Sequence, residues 1–162
     1  MITSITSPIL LDEPTIVHFE EQRTAVIRFT IRREEIRSVM GPAYGDLHQV
    51  LQEQSIEAVG PFFTHHFRMD PEVFDFELGV PVNASIKPQG RVLQGKLPAA
   101  KVMRTVYRGG YEGMGAAWQK FDQLIRELGH QAVESLWESY VKGPESGSDQ
   151  SKWETEFNRP LK

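Results

Sequence analysis

Phe74-Asp75-Phe76-Glu77-Leu78-Gly79-Val80-Pro81-Val82 aligns without a gap on Trp153-Glu154-Thr155-Glu156-Phe157-Asn158-Arg159-Pro160-Leu161. Both stretches begin with alternation of apolar or β-branched and acidic residues. Both carry proline next to last, which suits an edge strand or a strand end. Two copies of one strand in a chain of 162 residues point to an internal duplication. Outward from them, the order of elements repeats. Val26-Ile27-Arg28 matches Val102-Met103-Arg104, and Tyr44, before Leu47, matches Tyr111, before Met114. Phe67, before Pro71, matches Tyr140, before Pro144. The predicted fold class is α+β: two ββαββ-like halves with pseudo-twofold symmetry, antiparallel sheets forming a central groove, and helices packed on the other face. A single domain spans 1–162, with half one at 14–82, a linker at 83–90 and half two at 91–161.

Residues 15–20 and 24–31 are rich in β-branched side chains, and their spacing predicts a hairpin. Gly41-Pro42 breaks the chain, and Tyr44, Leu47, Val50 and Leu51 then mark one face of a helix of about three turns. In the second half Gly109-Gly110 plays the part of Gly41-Pro42. A helix follows with Met114, Ala117, Trp118, Phe121, Ile125 and Leu128 on one stripe, and Gly129 ends it.

Residues 132–144 read as a strand closed by Gly143-Pro144. Alternation places Leu136, Glu138 and Tyr140 on one face and Trp137 on the other, so a carboxylate sits between an apolar residue and a phenol. Such an acid is either solvated or lines a groove, where aromatic neighbours make it attractive to cationic or proton-donating ligands. Aligned by the repeat, Phe63, His65 and Phe67 become the counterparts of Leu136, Glu138 and Tyr140, and His65 faces Glu138 across the groove. In the last strand Glu154, Glu156 and Asn158 face the groove or water, while Trp153, Thr155 and Phe157 pack on the helix. Tyr107 and Tyr111 flank the diglycine as cage walls or as loop anchors. Trp118 belongs to the helix stripe, from whose edge it can also serve the groove. Residues 144–151 form a flexible loop or a lid.

Composition narrows the function classes. A formal net charge of −4 argues against non-specific nucleic-acid binding. The absence of cysteine removes disulfides, thiolate metal sites and thiol nucleophiles. His65 and His66 are adjacent in a strand and point to opposite faces, which argues against a shared metal ion. No cofactor is expected. No apolar run is long enough to cross a bilayer and no signal peptide is legible, so a cytoplasmic location is expected.

Leu97-Pro98, then Tyr107-Arg-Gly-Gly-Tyr-Glu-Gly-Met114, then Trp137-Glu-Ser-Tyr140, then Glu154-Thr-Glu-Phe-Asn-Arg-Pro-Leu161 resemble the GyrI-like effector-binding family. This is the small-molecule module of AraC-type and MerR-type multidrug regulators, also found alone. The resemblance covers residues 24–161 and lies in four motifs that occur in the family's order. It departs at Tyr107, where the family commonly has His, at Gly110, where it has Pro, and at Asn158, where it has an aromatic residue. It implies a fold of duplicated βαββ halves with an aromatic-lined groove, in which Glu138 contacts the ligand and Glu156 often joins it. No helix-turn-helix is legible before the domain, so a stand-alone member without direct nucleic-acid binding is expected. The resemblance implies binding of flat aromatic or amphiphilic xenobiotics and protection from them. Two alternatives accompany it: a hydrolase opening the cyclopropane of DNA-alkylating cyclopropanoid compounds, with Glu138 catalytic, and a gyrase-interacting inhibitor.

Overall fold

The computed structural model describes residues 9–162, apart from the side chain of Met69. The strands are β1 (Leu10–Leu11), β2 (Thr15–Phe19), β3 (Gln22–Arg32), β4 (Phe63–Met69), β5 (Val73–Pro81), β6 (Leu93–Leu97), β7 (Ala100–Arg108), β8 (Leu136–Lys142) and β9 (Glu154–Pro160). The helices are α1 (Ile36–Glu53) and α2 (Met114–Glu127), each preceded by a 3-10 turn. The strands form one curled sheet, ordered β1-β7-β9-β8-β4-β5-β3-β6 with β2 also on β7, and every pairing is antiparallel. The fold class expected from the sequence is the one observed, with the two sheets merged into one through the β4–β8 ladder.

The curl has a readable direction. The rings of Phe19 on β2 and Trp137 on β8 are 5.1 Å apart, although β7 and β9 lie between their strands. A flat sheet would hold them about 14 Å apart. The sheet therefore closes towards the face that carries Phe19 and Trp137, away from the helices. On that concave side Val26, Phe63, Leu97, Val102 and Trp137 form a buried cluster. On the convex side α1 covers Ala25, Ile27, Phe76, Leu78 and Val80, and α2 covers Met103, Tyr107, Leu136 and Phe157. Gly79 permits the crowding on this concave face. A Cβ there would meet Phe63 Cζ at 2.7 Å and Val26 Cγ1 at 2.8 Å.

Three local expectations are corrected. The segments around β2 and β3 are consecutive but do not form a hairpin. β2 pairs with β7, from the other half, and β6 pairs back with β3. Each half thus lends its first strand to the other. Helix α1 does not start after Gly41-Pro42 but runs through it from Ile36. Pro42 removes one backbone bond, and Ile36, Val39, Met40 and Ala43 pack on the first core and offset that loss. Strand β8 starts at Leu136, later than expected, with Ala132 making only an isolated bridge to Leu161.

In the second half the diglycine does end the strand, and Gly129, at φ 84°, closes α2. Leu128, placed on the apolar stripe, is exposed. The loop after β8 folds into two 3-10 turns, and Trp153 Nε1 donates to the Gly147 carbonyl across it at 2.9 Å.

Candidate ligand-binding site

Strand pairing fixes the phase of the repeat. Thr64 pairs with Leu78 and Glu138 pairs with Phe157, and Leu78 and Phe157 are matched positions of the gapless alignment. Thr64 is therefore the counterpart of Glu138. The same displacement carries Phe63 onto Trp137, and Ala43, Tyr44, Leu47 and Leu51 onto Ala117, Trp118, Phe121 and Ile125. The alignment read from the sequence was about two turns out in the helix, where Tyr44 matches Trp118 rather than Tyr111, and had slipped by one residue in β4, where a one-residue slip moves every side chain to the other face.

The predicted site residues consequently divide between two faces. Glu138, Tyr140, Tyr107, Tyr111 and Trp118 belong to the helix-bearing side. His65 pairs with Trp137 on the concave side, where its ring also meets Phe67 at 4.5 Å. Phe63 is buried there in the concave cluster, and Arg28 covers the Phe67 ring at 4.2 Å. His65 thus does not face Glu138. Its Nδ1 has no hydrogen-bond partner, and burial, with His66 and Arg28 nearby, lowers its pKa to about 4. Glu156 is also on the concave side, 3.4 Å from Arg104 and accepting from Asn158 Nδ2 at 3.2 Å. The curled sheet forms the expected groove opposite the helices, but the two acids do not share it: Glu156 is on the concave side and Glu138 lies beneath α2.

That carboxyl is 9% exposed. Trp118 reaches it because α2 lies over β8 and β9, with the indole stacked on Phe157 at 4.2 Å and 7°. From there Nε1 donates to Glu138 Oε1 at 2.7 Å. Tyr140, two residues along β8 on the same face, donates its hydroxyl to Oε2 at 2.8 Å. The phenol has a single proton, so with the carboxylate ionised the 2.7 Å contact between Tyr140 and Thr64 is a donation from Thr64. Thr64 Oγ1 is itself 3.5 Å from Oε2. Burial pushes the Glu138 pKa up from the ordinary carboxylate value, opposed by the bonds from Tyr140 and Trp118 and by the nearby Thr64 hydroxyl. Glu138 is held by dipoles alone, because it belongs to none of the ion pairs found among the described residues.

Aromatic rings flank this acid. Tyr111, 40% exposed, stands edge-on to Tyr140 at 5.9 Å and packs on Trp153 at 5.0 Å. From α1, Tyr44 lies edge-on to Phe62 at 4.9 Å. Burial raises the Tyr44 pKa, and the charges of Tyr111, Glu145 and Glu138 raise it further. Tyr107 is buried and donates to the Gly110 carbonyl at 2.8 Å, so of its two readings it takes the loop anchor. Sequence reasoning missed Tyr44, Phe62 and Thr64. The signal that finds Tyr44 and Thr64 is the corrected repeat, in which they are the counterparts of Trp118 and Glu138. Among the described residues no group of three His, Asp or Glu is placed to hold a metal ion, and no helix is long and apolar enough to cross a membrane.

Comparison with known proteins agrees with this architecture. The C-terminal domain of EcmrR superposes with a TM-score of 0.81 at 19% identity, covering 93% of this chain and 97% of that one. In the EcmrR–DNA complex the same comparison gives a TM-score of 0.80 at 20% identity, and this chain spans 57% of that protein's length. SAV2435 bound to tetraphenylphosphonium matches with a TM-score of 0.63 at 13% identity, over 93% and 94% of the two chains. A hydrolase from Listeria innocua matches with a TM-score of 0.65 at 9% identity, over 93% and 92%. At these identities the likeness is one of fold. No curated protein matches the sequence. The GyrI-like small molecule binding domain, however, matches residues 12–162, and the chain belongs to that family.

Proposed function

We propose that this protein binds flat aromatic or amphiphilic cations at Glu138 and protects its host by sequestering them. The observation that carries the reading is a buried carboxylate bonded, among the described residues, by the neutral donors Trp118 and Tyr140, with Thr64 donating to Tyr140 behind them. A buried charge without a counter-ion is costly, and a delocalised cation is the ligand that relieves the cost while losing little hydration. The surrounding rings add cation–π attraction and exclude water. Tetraphenylphosphonium, bound by the structural neighbour SAV2435, has this chemistry. Fluorescence titration with tetraphenylphosphonium tests the proposal: saturable binding to the protein and its loss in Glu138→Gln are expected. Equal binding of a neutral analogue of the same shape would overturn it.

A second reading, hydrolytic opening of a cyclopropanoid ring, rests on the string Thr64–Tyr140–Glu138. It joins two hydroxyls to an acid whose pKa is raised, and such a string can deliver or accept a proton at a reacting atom. Mass spectrometry of a cyclopropanoid substrate incubated with the protein tests it. A product heavier by one water, absent with Glu138→Gln, is the expected outcome, and unchanged substrate rejects this reading.

A further inference from the structure

The second half of the molecule carries a cavity at a place that the first half fills. Leu51 and Val80 lie in a core to which Ile86 and Val92 also belong. Their counterparts in the repeat, Ile125 and Arg159, instead line a surface cavity of about 410 Å³ together with Asp122, Arg126, His130 and Lys162. Where one half has hydrocarbon, the other has a guanidinium.

Arg159 is only 9% exposed. Its Nε donates to the Val133 carbonyl at 3.0 Å and its Nη1 to Asp122 Oδ1 at 2.9 Å. These two bonds fix the plane of the guanidinium and leave Nη2 to neither acceptor. A buried ion pair is a poor way to gain stability, since its desolvation offsets much of its attraction. The hydrocarbon of the first half shows that packing alone does not require it. Among the described residues Asp122 is the one acidic side chain lining the cavity, set against those of Arg126, Arg159 and Lys162, so the lining side chains carry a surplus of positive charge in a chain whose formal net charge is −4. The end of α2 does not neutralise that surplus, because the carbonyls of Leu124, Ile125 and Arg126 already accept from Leu128, His130 and Gly129.

We propose that this cavity binds a small molecule bearing an oxyanion, phosphate or carboxylate, with Arg159 as the buried anchor and Arg126 and Lys162 as flanking cations. A guanidinium held in a fixed plane presents its remaining donors to such a group without further loss of entropy. The volume suits a small metabolite rather than a bare ion. The site is distinct from Glu138 in place and in charge, and does not depend on what Glu138 binds.

The experiment is an NMR titration of the full chain with inorganic phosphate and, separately, citrate, at constant ionic strength and with chloride as the control. Saturable shifts confined to Asp122, Arg126, His130, Gln131 and Arg159 are expected. Arg126→Gln, an exposed substitution, should weaken binding by about tenfold, the scale of one charge-assisted bond. Glu138→Gln should leave it unchanged. Saturation by phosphate alone assigns a phosphorylated ligand, and saturation by citrate alone assigns a polycarboxylate. Shifts that grow linearly with concentration, match those from chloride or persist in Arg126→Gln overturn the proposal.

Discussion

Thr64 and Glu138 face each other across the β4–β8 ladder and are also each other's counterparts in the repeat. The pseudo-twofold axis therefore passes between a hydroxyl and a carboxyl. The two halves present similar scaffolds to the axis, Tyr44 from α1 and Trp118 from α2, yet only one side carries charge. That asymmetry makes the site polar and gives the first prediction.

Glu138→Gln keeps the shape of the side chain and removes the buried charge. Its amide oxygen can still accept from Trp118. The variant should unfold at a urea midpoint equal to or above that of the wild type at pH 7, while tetraphenylphosphonium affinity falls by at least tenfold. A variant that is destabilised by several kcal/mol would show that the carboxylate serves structure instead.

Thr64→Val preserves volume but removes the donor to Tyr140. With the phenol no longer fixed, stability should fall by about 1 kcal/mol. Ligand affinity should fall severalfold. Thermal denaturation and the same titration measure the two effects, and no change in either would mean that the 2.7 Å contact is incidental.

Stability should depend on pH through two opposed groups of side chains. His65 and His66 have folded-state pKa values lowered to about 4 by burial. Between about pH 4 and the ordinary histidine value of about 6.5 the unfolded chain binds more protons, so stability is full above that window and falls as pH drops through it. Glu138 acts in the other direction. Its raised pKa means that the folded state holds the extra proton, so its contribution weakens as pH rises from the ordinary carboxylate range to its folded value. His66→Phe, which keeps the stack on Phe76, should flatten the acid-side slope of the urea midpoint. Glu138→Gln should steepen the net rise with pH. Identical profiles for all three proteins would contradict this account.

Gly79→Ala places a methyl group within 2.9 Å of the Ala25 carbonyl as well as against Phe63 and Val26. Neither strand can retreat without breaking the ladder, so a loss of about 1–3 kcal/mol is expected on chemical denaturation. Wild-type stability in this variant would mean that the concave face of β3, β4 and β5 is looser than its packing indicates.

Much of the fold was legible in the residues because strands and helices write their own periods. The duplication was visible in Phe74–Val82 against Trp153–Leu161, and alternation put Leu136, Glu138 and Tyr140 on one face of β8. What alternation does not carry is the phase between strands. In β4 the run Phe63-Thr64-His65-His66-Phe67 places an aromatic or imidazole ring at four of its five positions, so the repeat fits almost equally well in two registers. The wrong register set His65 opposite Glu138, and the hydrogen-bonded ladder sets Thr64 there. The exchange of β2 and β6 was hidden for a related reason. A short link between two strands looks the same in sequence whether the chain turns back or crosses over.

That crossing has a consequence for how such a molecule can be built or divided. Because β2 completes the far half and β6 completes the near one, neither copy of the repeat is a finished module. Severing the backbone in the segment between β5 and β6 should yield two fragments that remain unstructured alone and regain order only when mixed, each being the template for the other.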